Sequence, residues 1–299
     1  MHRRTAAILV GLALSGLLCV TDLVGEERLH VVATTTIVGD VVSRLGGDHI
    51  DVTVLIPVNA DPHAFEATPR DLVAIAEADI VFINGADLEI DLEPMLENAT
   101  GPVIAVSEGI PLRSFEEHPH GGVDPHVWFD PTLVMIWVEK IRETLGALDP
   151  AHAADYRANA NNYRTELVTL DTWIQDQVDR VASDRRELVT DHGVLGYFAA
   201  RYGFEQIDTV LPGFSTLAEP SAAELARLED AIRDYDVPAI FVGATVNPNL
   251  AEQVARDTGT RVITLYTGSL SEPGGPADTY IALMTYDVTA IVEALGKRE

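Results

Sequence analysis

Three histidines are the residues of this 299-residue chain whose type and position point to chemistry. His63 and His126 each follow the dipeptide Asp-Pro, and His192 follows the short β-like run 187–190. Proline fixes its own φ and favours an extended conformation in the residue before it, so Asp-Pro-His predicts a stiff loop that aims one imidazole. Neutral imidazole binds zinc, copper, nickel and, less strongly, manganese. We therefore expect these three histidines to converge on one transition-metal ion.

The sequence leaves more than one possibility for the remaining ligands of the metal. Three histidines with few or no carboxylates favour zinc, and tetrahedral zinc needs a fourth ligand from a carboxylate or from water. Asp61 and Asp124 are expected to brace their loops or to orient a histidine rather than to bind metal. The polar loop with His118 and His120 is a candidate for transient metal capture, although such loops are more often simply solvated. Surface or packing roles are expected for His30, His49 and His152.

The elements that position these histidines alternate between apolar runs and amphipathic segments. The runs predict strands at residues 29–33, 52–56, 80–83, 103–106, 187–190, 239–242 and 262–265. The amphipathic segments predict helices at residues 37–45, 69–78, 222–233 and 280–295. Strands separated by helices of this length indicate βαβ units and a parallel sheet, with ligands bound at the carboxyl ends of the strands.

One uninterrupted segment, 149–184, carries apolar residues at steps of three and four and predicts a single long helix of roughly 45–50 Å. We expect an α/β fold in which this rigid helix joins two βα lobes with parallel-type sheets. Residues 26–148 then form the N-terminal lobe and residues 185–299 the C-terminal lobe.

Residues 1–25 predict a secretory signal peptide, because Arg3 and Arg4 precede an apolar run, 6–20, that is too short to span a membrane. We expect an exported, periplasmic or otherwise extracytoplasmic protein. Cys19 is the only cysteine. A lipid-attachment site wants a small residue before the cysteine and this chain has Leu18, so a lipid anchor is an alternative that we do not favour. Without Cys19 the mature chain has no disulfide and no thiolate ligand.

The overall composition also limits the partners. An apolar fraction of 47% fits a globular protein, and a formal net charge of −27 argues against nucleic acid and anionic membranes as partners. We expect a monomer with no nucleic-acid partner.

Several segments along the mature chain resemble the metal-specific solute-binding proteins of ABC transporters, the zinc and manganese group known as cluster A-I. They read DPHAFEATP at 61–69, ADIVFING at 78–85, DPHVW at 124–128, EPS at 219–221 and TY at 279–280. The resemblance implies two lobes joined by one long helix, with the metal in the cleft between them. It also implies that His63 and His126 come from the N-terminal lobe and His192 from the C-terminal lobe.

The sequence departs from this family at the usual fourth ligand, an aspartate in a Leu-Tyr-x-Asp-Ser-Leu-like stretch. Here residues 265–270 read LYTGSL, so Gly268 stands where the aspartate would be. Water, or a carboxylate from elsewhere such as Asp278 or Glu219, must complete the shell. The loss of an anionic oxygen ligand makes manganese less favoured and keeps zinc first.

These observations predict a binding protein that captures Zn²⁺ and delivers it to an ABC permease in the membrane. The alternatives are a manganese-specific member of the same group, a zinc hydrolase and an extracytoplasmic metal buffer. A hydrolase is disfavoured because the sequence has neither a His-Glu-x-x-His helix nor a Gly-x-Ser-x-Gly elbow. We therefore expect no enzymatic activity, and we expect metal binding to weaken below about pH 6, where protons compete for imidazole.

Overall fold

The computed structural model describes residues 28–114 and 122–296. The predicted signal peptide lies outside these residues, as do His118 and His120. Among the described residues, no helix combines the length and the apolar character needed to cross a bilayer.

The first half of the chain forms a sheet of four parallel strands in the order β2-β1-β3-β4. The strands are β1 (Leu29–Ala33), β2 (Ile50–Val54), β3 (Ile80–Ile83) and β4 (Val103–Ala105). The helices between them are α1 (Thr36–Gly46), α2 (Pro69–Glu77) and the short α3 (Glu93–Leu96). We call this unit the N-terminal lobe.

The prediction for β2 was two residues late. The strand begins at Ile50 because Ile50 and Asp51 pair with Leu29 and His30 of β1. The exposed side chain of Asp51 separates Ile50 from the apolar run, so the predicted strand began after it and extended past Val54 to residue 56.

Two consecutive helices, rather than one, connect the lobes. The chain forms α4 (Pro131–Leu148), which the sequence analysis did not predict, and then α5 (Ala153–Val178). The predicted helix over 149–184 is thus shorter at both ends, since α5 begins at Ala153 and ends at Val178. Pro150 disfavours helix at residue 149, which keeps α5 separate from α4. The face of α5 that the sequence predicts to be apolar is buried, including Tyr163, Leu167 and Ile174.

The second half of the chain forms another four-stranded parallel sheet, in the order β6-β5-β7-β8. Its strands are β5 (Glu187–Thr190), β6 (Glu205–Thr209), β7 (Ala239–Gly243) and β8 (Arg261–Leu265). Its helices are α6 (Gly196–Tyr202), α7 (Ala222–Asp234), α8 (Asn249–Thr258) and α9 (Tyr280–Gly296). This C-terminal lobe repeats the strand order of the first, which confirms the predicted two-lobed α/β class.

One hydrophobic core runs through both lobes. It contains Phe82 of β3, Trp137 of α4, Leu167 of α5, Phe241 of β7 and Leu283 of α9, each almost completely buried. Burial of apolar side chains is the main favourable contribution to folding, so α4, α5 and α9 stabilise the two sheets together.

Candidate metal centre

The three predicted histidines meet in the structure. Nε2 of His126 lies 3.2 Å from Nε2 of His63 and 3.2 Å from Nε2 of His192. One ligand atom from each of the three residues lies within 4.8 Å of the others, and no other group of three or more histidine, cysteine or acidic residues in ranges 28–114 and 122–296 does this. His126 and His192 are buried and His63 is partly buried. Three convergent imidazole nitrogens are a donor set for one transition-metal ion.

Loops at the carboxyl ends of the strands carry these histidines. His63 lies between β2 and α2, His126 lies between β4 and α4, and His192 comes directly after β5 and Asp191. Of the three, His192 alone follows its strand almost directly. The other two reach the site along longer loops that begin at the same edge of the N-terminal sheet.

The two Asp-Pro-His segments have the same local geometry. Asp61 Oδ1 accepts a hydrogen bond of 3.0 Å from His63 N, and Asp124 Oδ1 accepts one of 3.0 Å from His126 N. Each aspartate thereby bridges over the proline and fixes the backbone of the histidine, as short polar side chains do in Asx turns. The bracing role expected for both aspartates is present in the structure.

Two of the three imidazole rings are also held by carboxylates. Nδ1 of His126 lies 2.9 Å from Asp124 Oδ1, and Nδ1 of His192 lies 2.8 Å from Asp191 Oδ1. A carboxylate that accepts from Nδ1–H fixes the tautomer in which Nε2 presents a lone pair to a metal. Asp191 was missed by the sequence analysis, although an acidic residue directly before a candidate ligand was a usable signal.

The ring of His63 lacks this support. No group in the part of the chain that the structure describes makes a hydrogen bond to His63 Nδ1. Its ring contacts the other two imidazoles edge to face, with centroid distances of 5.3 and 5.4 Å. Among the polar contacts of this residue, only the bond from its backbone N to Asp61 anchors it outside the cluster.

Burial sets the protonation of the site. Desolvation lowers the pKa of His63 and of His126 well below the usual value, and the neighbouring imidazoles lower both further. Burial alone would raise the pKa of Asp191, but His192 and two backbone N–H donors outweigh it, and this pKa is lowered. Burial raises the pKa of Asp124 to about 7. His63 and His126 are therefore neutral at neutral pH, the form that binds metal.

A small cavity of about 10 Å³ adjoins the imidazoles, with Pro62, Trp128 and Gly268 among its walls. This volume is of the order of one water molecule or ion. Neither Asp278 nor Glu219, the two acidic residues considered as fourth ligands, lines this cavity. Asp278 instead accepts a hydrogen bond from Gly274 N.

Comparison with known families identifies the chain. Residues 31–294 match the family model described as ZnuA, "Zinc-uptake complex component A periplasmic". The manganese-binding lipoprotein MntA of Halalkalibacterium halodurans is 34% identical over 273 residues, covering 91% of this chain and 90% of the relative. The iron-binding protein YfeA of Yersinia pestis is 31% identical over 303 residues, covering 98% of this chain and 97% of the relative.

A solved structure shows the same fold. The periplasmic zinc-binding protein TroA of Treponema pallidum is 29% identical and superposes with a TM-score of 0.85, covering 91% of this chain and 100% of that chain. The names of these three similar proteins mention three different metals, so the family is common to them while the metal is not. The chain belongs to the family described as ZnuA, and it is an exported, metal-binding solute-binding protein of ABC transporters rather than an enzyme.

Proposed function

We propose that this protein captures Zn²⁺ with His63, His126 and His192 and delivers it to a membrane permease. The observation that carries the proposal is the donor set: three Nε2 atoms converge, and no carboxylate among the described residues joins the group. Nitrogen donors suit zinc, whereas oxygen donors shift preference towards manganese and other hard cations. Water in the small cavity would complete a tetrahedral shell.

Capture follows from the protonation of the site. Neutral imidazoles bind the ion without first losing a proton, so the site is ready for metal at neutral pH. The buried carboxylates of Asp124 and Asp191 balance the charge of the ion from behind two of the rings. The protein binds the ion and releases it unchanged, and we propose that it works as a monomer.

Manganese is the second candidate. It is supported by similarity to the protein named manganese-binding lipoprotein MntA. Against it stands Gly268, which offers no side-chain oxygen at the place where the family usually supplies an aspartate. A metal buffer that works without a permease would use the same site and differs only in its partner.

The test is metal content and competition binding on the purified mature protein, with zinc against manganese. We expect one tightly bound Zn²⁺ per chain that manganese does not displace. His192→Ala should lose most of this affinity, whereas His30→Ala, at an exposed position of β1, should not. Preference for manganese would replace the metal in the proposal. Unchanged affinity in His192→Ala would overturn the ligand set.

A further inference from the structure

Residues 59–62, which we call the clasp segment, lead into His63 and contact the opposite lobe. Asn59 N donates a hydrogen bond of 3.1 Å to Ser269 Oγ. Asp61 Oδ2 accepts a bond of 2.6 Å from Thr216 Oγ1. Asn59 has φ 65°, a left-handed conformation that asparagine tolerates better than most residues. The clasp segment thus follows β2 of the N-terminal lobe in sequence but is held by the C-terminal lobe.

Gly268 of the C-terminal lobe lies beside Pro62 of the clasp segment. A Cβ atom added to this glycine would lie 2.8 Å from Pro62 Cδ and 3.1 Å from Pro62 Cγ. A separation under about 3 Å is not tolerated between carbon atoms, whose optimal separation is about 3.5–4.0 Å, and a proline ring cannot swing aside. Gly268 is not among the glycines with positive φ. Glycine is therefore needed here for space, because any side chain would push the clasp segment away.

The position of His63 depends on these contacts more than the positions of the other two ligands do. Asp124 and Asp191 hold the rings of His126 and His192 from within their own loops. Outside the imidazole cluster, the described residues give His63 a single hydrogen bond, from its backbone N to Asp61 Oδ1. The second oxygen of that same carboxylate accepts from Thr216. One carboxylate therefore joins the backbone of a metal ligand to the other lobe.

We propose that the clasp segment positions His63 for metal binding, with Thr216 and Gly268 as the positioning residues in the C-terminal lobe. The proposal rests on the metal site of the proposed function and adds a mechanism by which that site releases its ion. When the clasp opens, His63 moves away and the ion keeps only two protein ligands. The contacts of Thr216 and Gly268 thereby set the rate of metal release, and His63 is the first ligand to leave.

The experiment compares variants that remove clasp contacts but no ligand atom. Thr216→Val removes the hydroxyl group, and Gly268→Ala adds one methyl group against Pro62. The matched controls are Thr165→Val, at an exposed hydroxyl of α5 that donates to Asn161 O, and Gly146→Ala in α4, where an added Cβ would meet its nearest neighbour at an ordinary 3.5 Å. Zn²⁺ dissociation is timed after mixing with excess chelator, and thermal unfolding of each metal-free variant is recorded.

We expect Thr216→Val to release Zn²⁺ roughly 3- to 10-fold faster than wild type, the range for loss of one hydrogen bond. Gly268→Ala should release it at least as fast, and both controls should match wild type. The visible absorption of bound Co²⁺ adds a measurement that does not depend on the overall stability of the protein. This absorption should change in the clasp variants, although their ligands stay the same.

Both clasp variants could still bind Zn²⁺ and show the release rate and the Co²⁺ spectrum of the wild type. That result would overturn the proposed role of the clasp segment and leave the proposed function intact. If the wild-type protein binds manganese instead, the same rates measured with Mn²⁺ test the clasp. A wild-type protein that binds neither ion would overturn the proposed function, and the clasp with it.

Discussion

The two lobes share one strand order but hold their metal-binding histidines in different ways. In each sheet the second strand along the chain lies outside the first, and the third and fourth follow on the other side. In the C-terminal lobe, His192 follows β5 directly and Asp191 fixes its ring. In the N-terminal lobe, Asp124 fixes the ring of His126 in the same way. His63, however, lies on a longer loop and its ring has no such carboxylate among the described residues. Topology thus decides at which edge the ligands meet, and local hydrogen bonds decide how firmly each is held.

The largest effect on metal binding should come from a change at Asp191, which fixes His192. Asp191 accepts from the backbone N and Nδ1 of His192 and from Gly243 N. Asp191→Asn leaves one acceptor oxygen for these three donors, so we expect metal affinity to fall roughly 10- to 100-fold, the usual cost of losing an outer-shell partner. Competition with a chelator of known affinity measures this, and Asp208→Asn in the same lobe is the control. Wild-type affinity in Asp191→Asn would mean that the two lobes hold their histidines alike.

Each lobe also contains a buried carboxylate that is not one of the ligands, and the two differ in the number of hydrogen bonds they accept. Glu89 accepts three hydrogen bonds, from Thr34 Oγ1 (2.6 Å), Asn84 N (2.7 Å) and Gly85 N (2.9 Å). Asp287 accepts one, from Tyr266 N, and its Oδ2 has no partner among the described residues. Burial raises the pKa of both carboxyls, for Asp287 well above the usual value.

We expect Glu89→Gln to lower the free energy of unfolding by about 1–3 kcal/mol, because its amide nitrogen would oppose a buried N–H donor. Asp287→Asn keeps the acceptor for Tyr266 N and replaces an oxygen that has no partner, so we expect a change of less than about 1 kcal/mol. Urea denaturation of the metal-free proteins at neutral pH compares the two. Equal losses would contradict the idea that the site with three donors tolerates an amide less well than the site with one.

The smallest expected effect is the loss of folding stability that His63 causes as the pH falls. Burial, followed by the adjacent imidazoles, holds its pKa well below the usual value in the folded state. The unfolded chain takes up a proton at this residue below about pH 6.5, and the folded chain does so only at lower pH. Stability due to neutral His63 is therefore lost as pH falls, and relative to His63→Gln the wild type should lose about 1 kcal/mol between about pH 7 and about pH 5.5.

This difference is measured by denaturation of the metal-free proteins, with His30→Gln as the exposed control. The free energy of unfolding of wild type minus that of His63→Gln could instead stay constant with pH. This would mean that His63 binds protons equally well in the folded and the unfolded chain. His63 would then take its buried position only when metal binds, which would sharpen its contrast with His126 and His192.

Much of the site could be predicted from sequence because its signals are local. Each Asp-Pro-His segment forms its own turn, so the repeated tripeptide indicated two equivalent ligands. Helix α4 also had local signals that the analysis did not use, since Asp130 caps it and Pro131 begins it. Strand β2 was predicted two residues late because Asp51, on its exposed face, precedes the apolar run.

The interlobe contacts could not be predicted in this way. Thr216 lies 155 residues from Asp61 in sequence, and Gly268 meets Pro62 only when the lobes pack together. No periodicity or motif records such a pair, because each partner is a common loop residue by itself. From sequence, Gly268 indicated only a missing ligand, whereas the structure gives it a steric role.

The core that runs through both lobes also bears on how such proteins are recombined. The buried side of α5 belongs to a hydrophobic core that also contains residues of both sheets. Each lobe has a smaller apolar cluster of its own, but the larger part of the buried interior is shared between the lobes. An exchange of lobes between two relatives would place unmatched side chains along α4, α5 and α9. The metal preference of one relative is therefore transferred more safely by exchanging loops at the carboxyl edges than by exchanging halves of the chain.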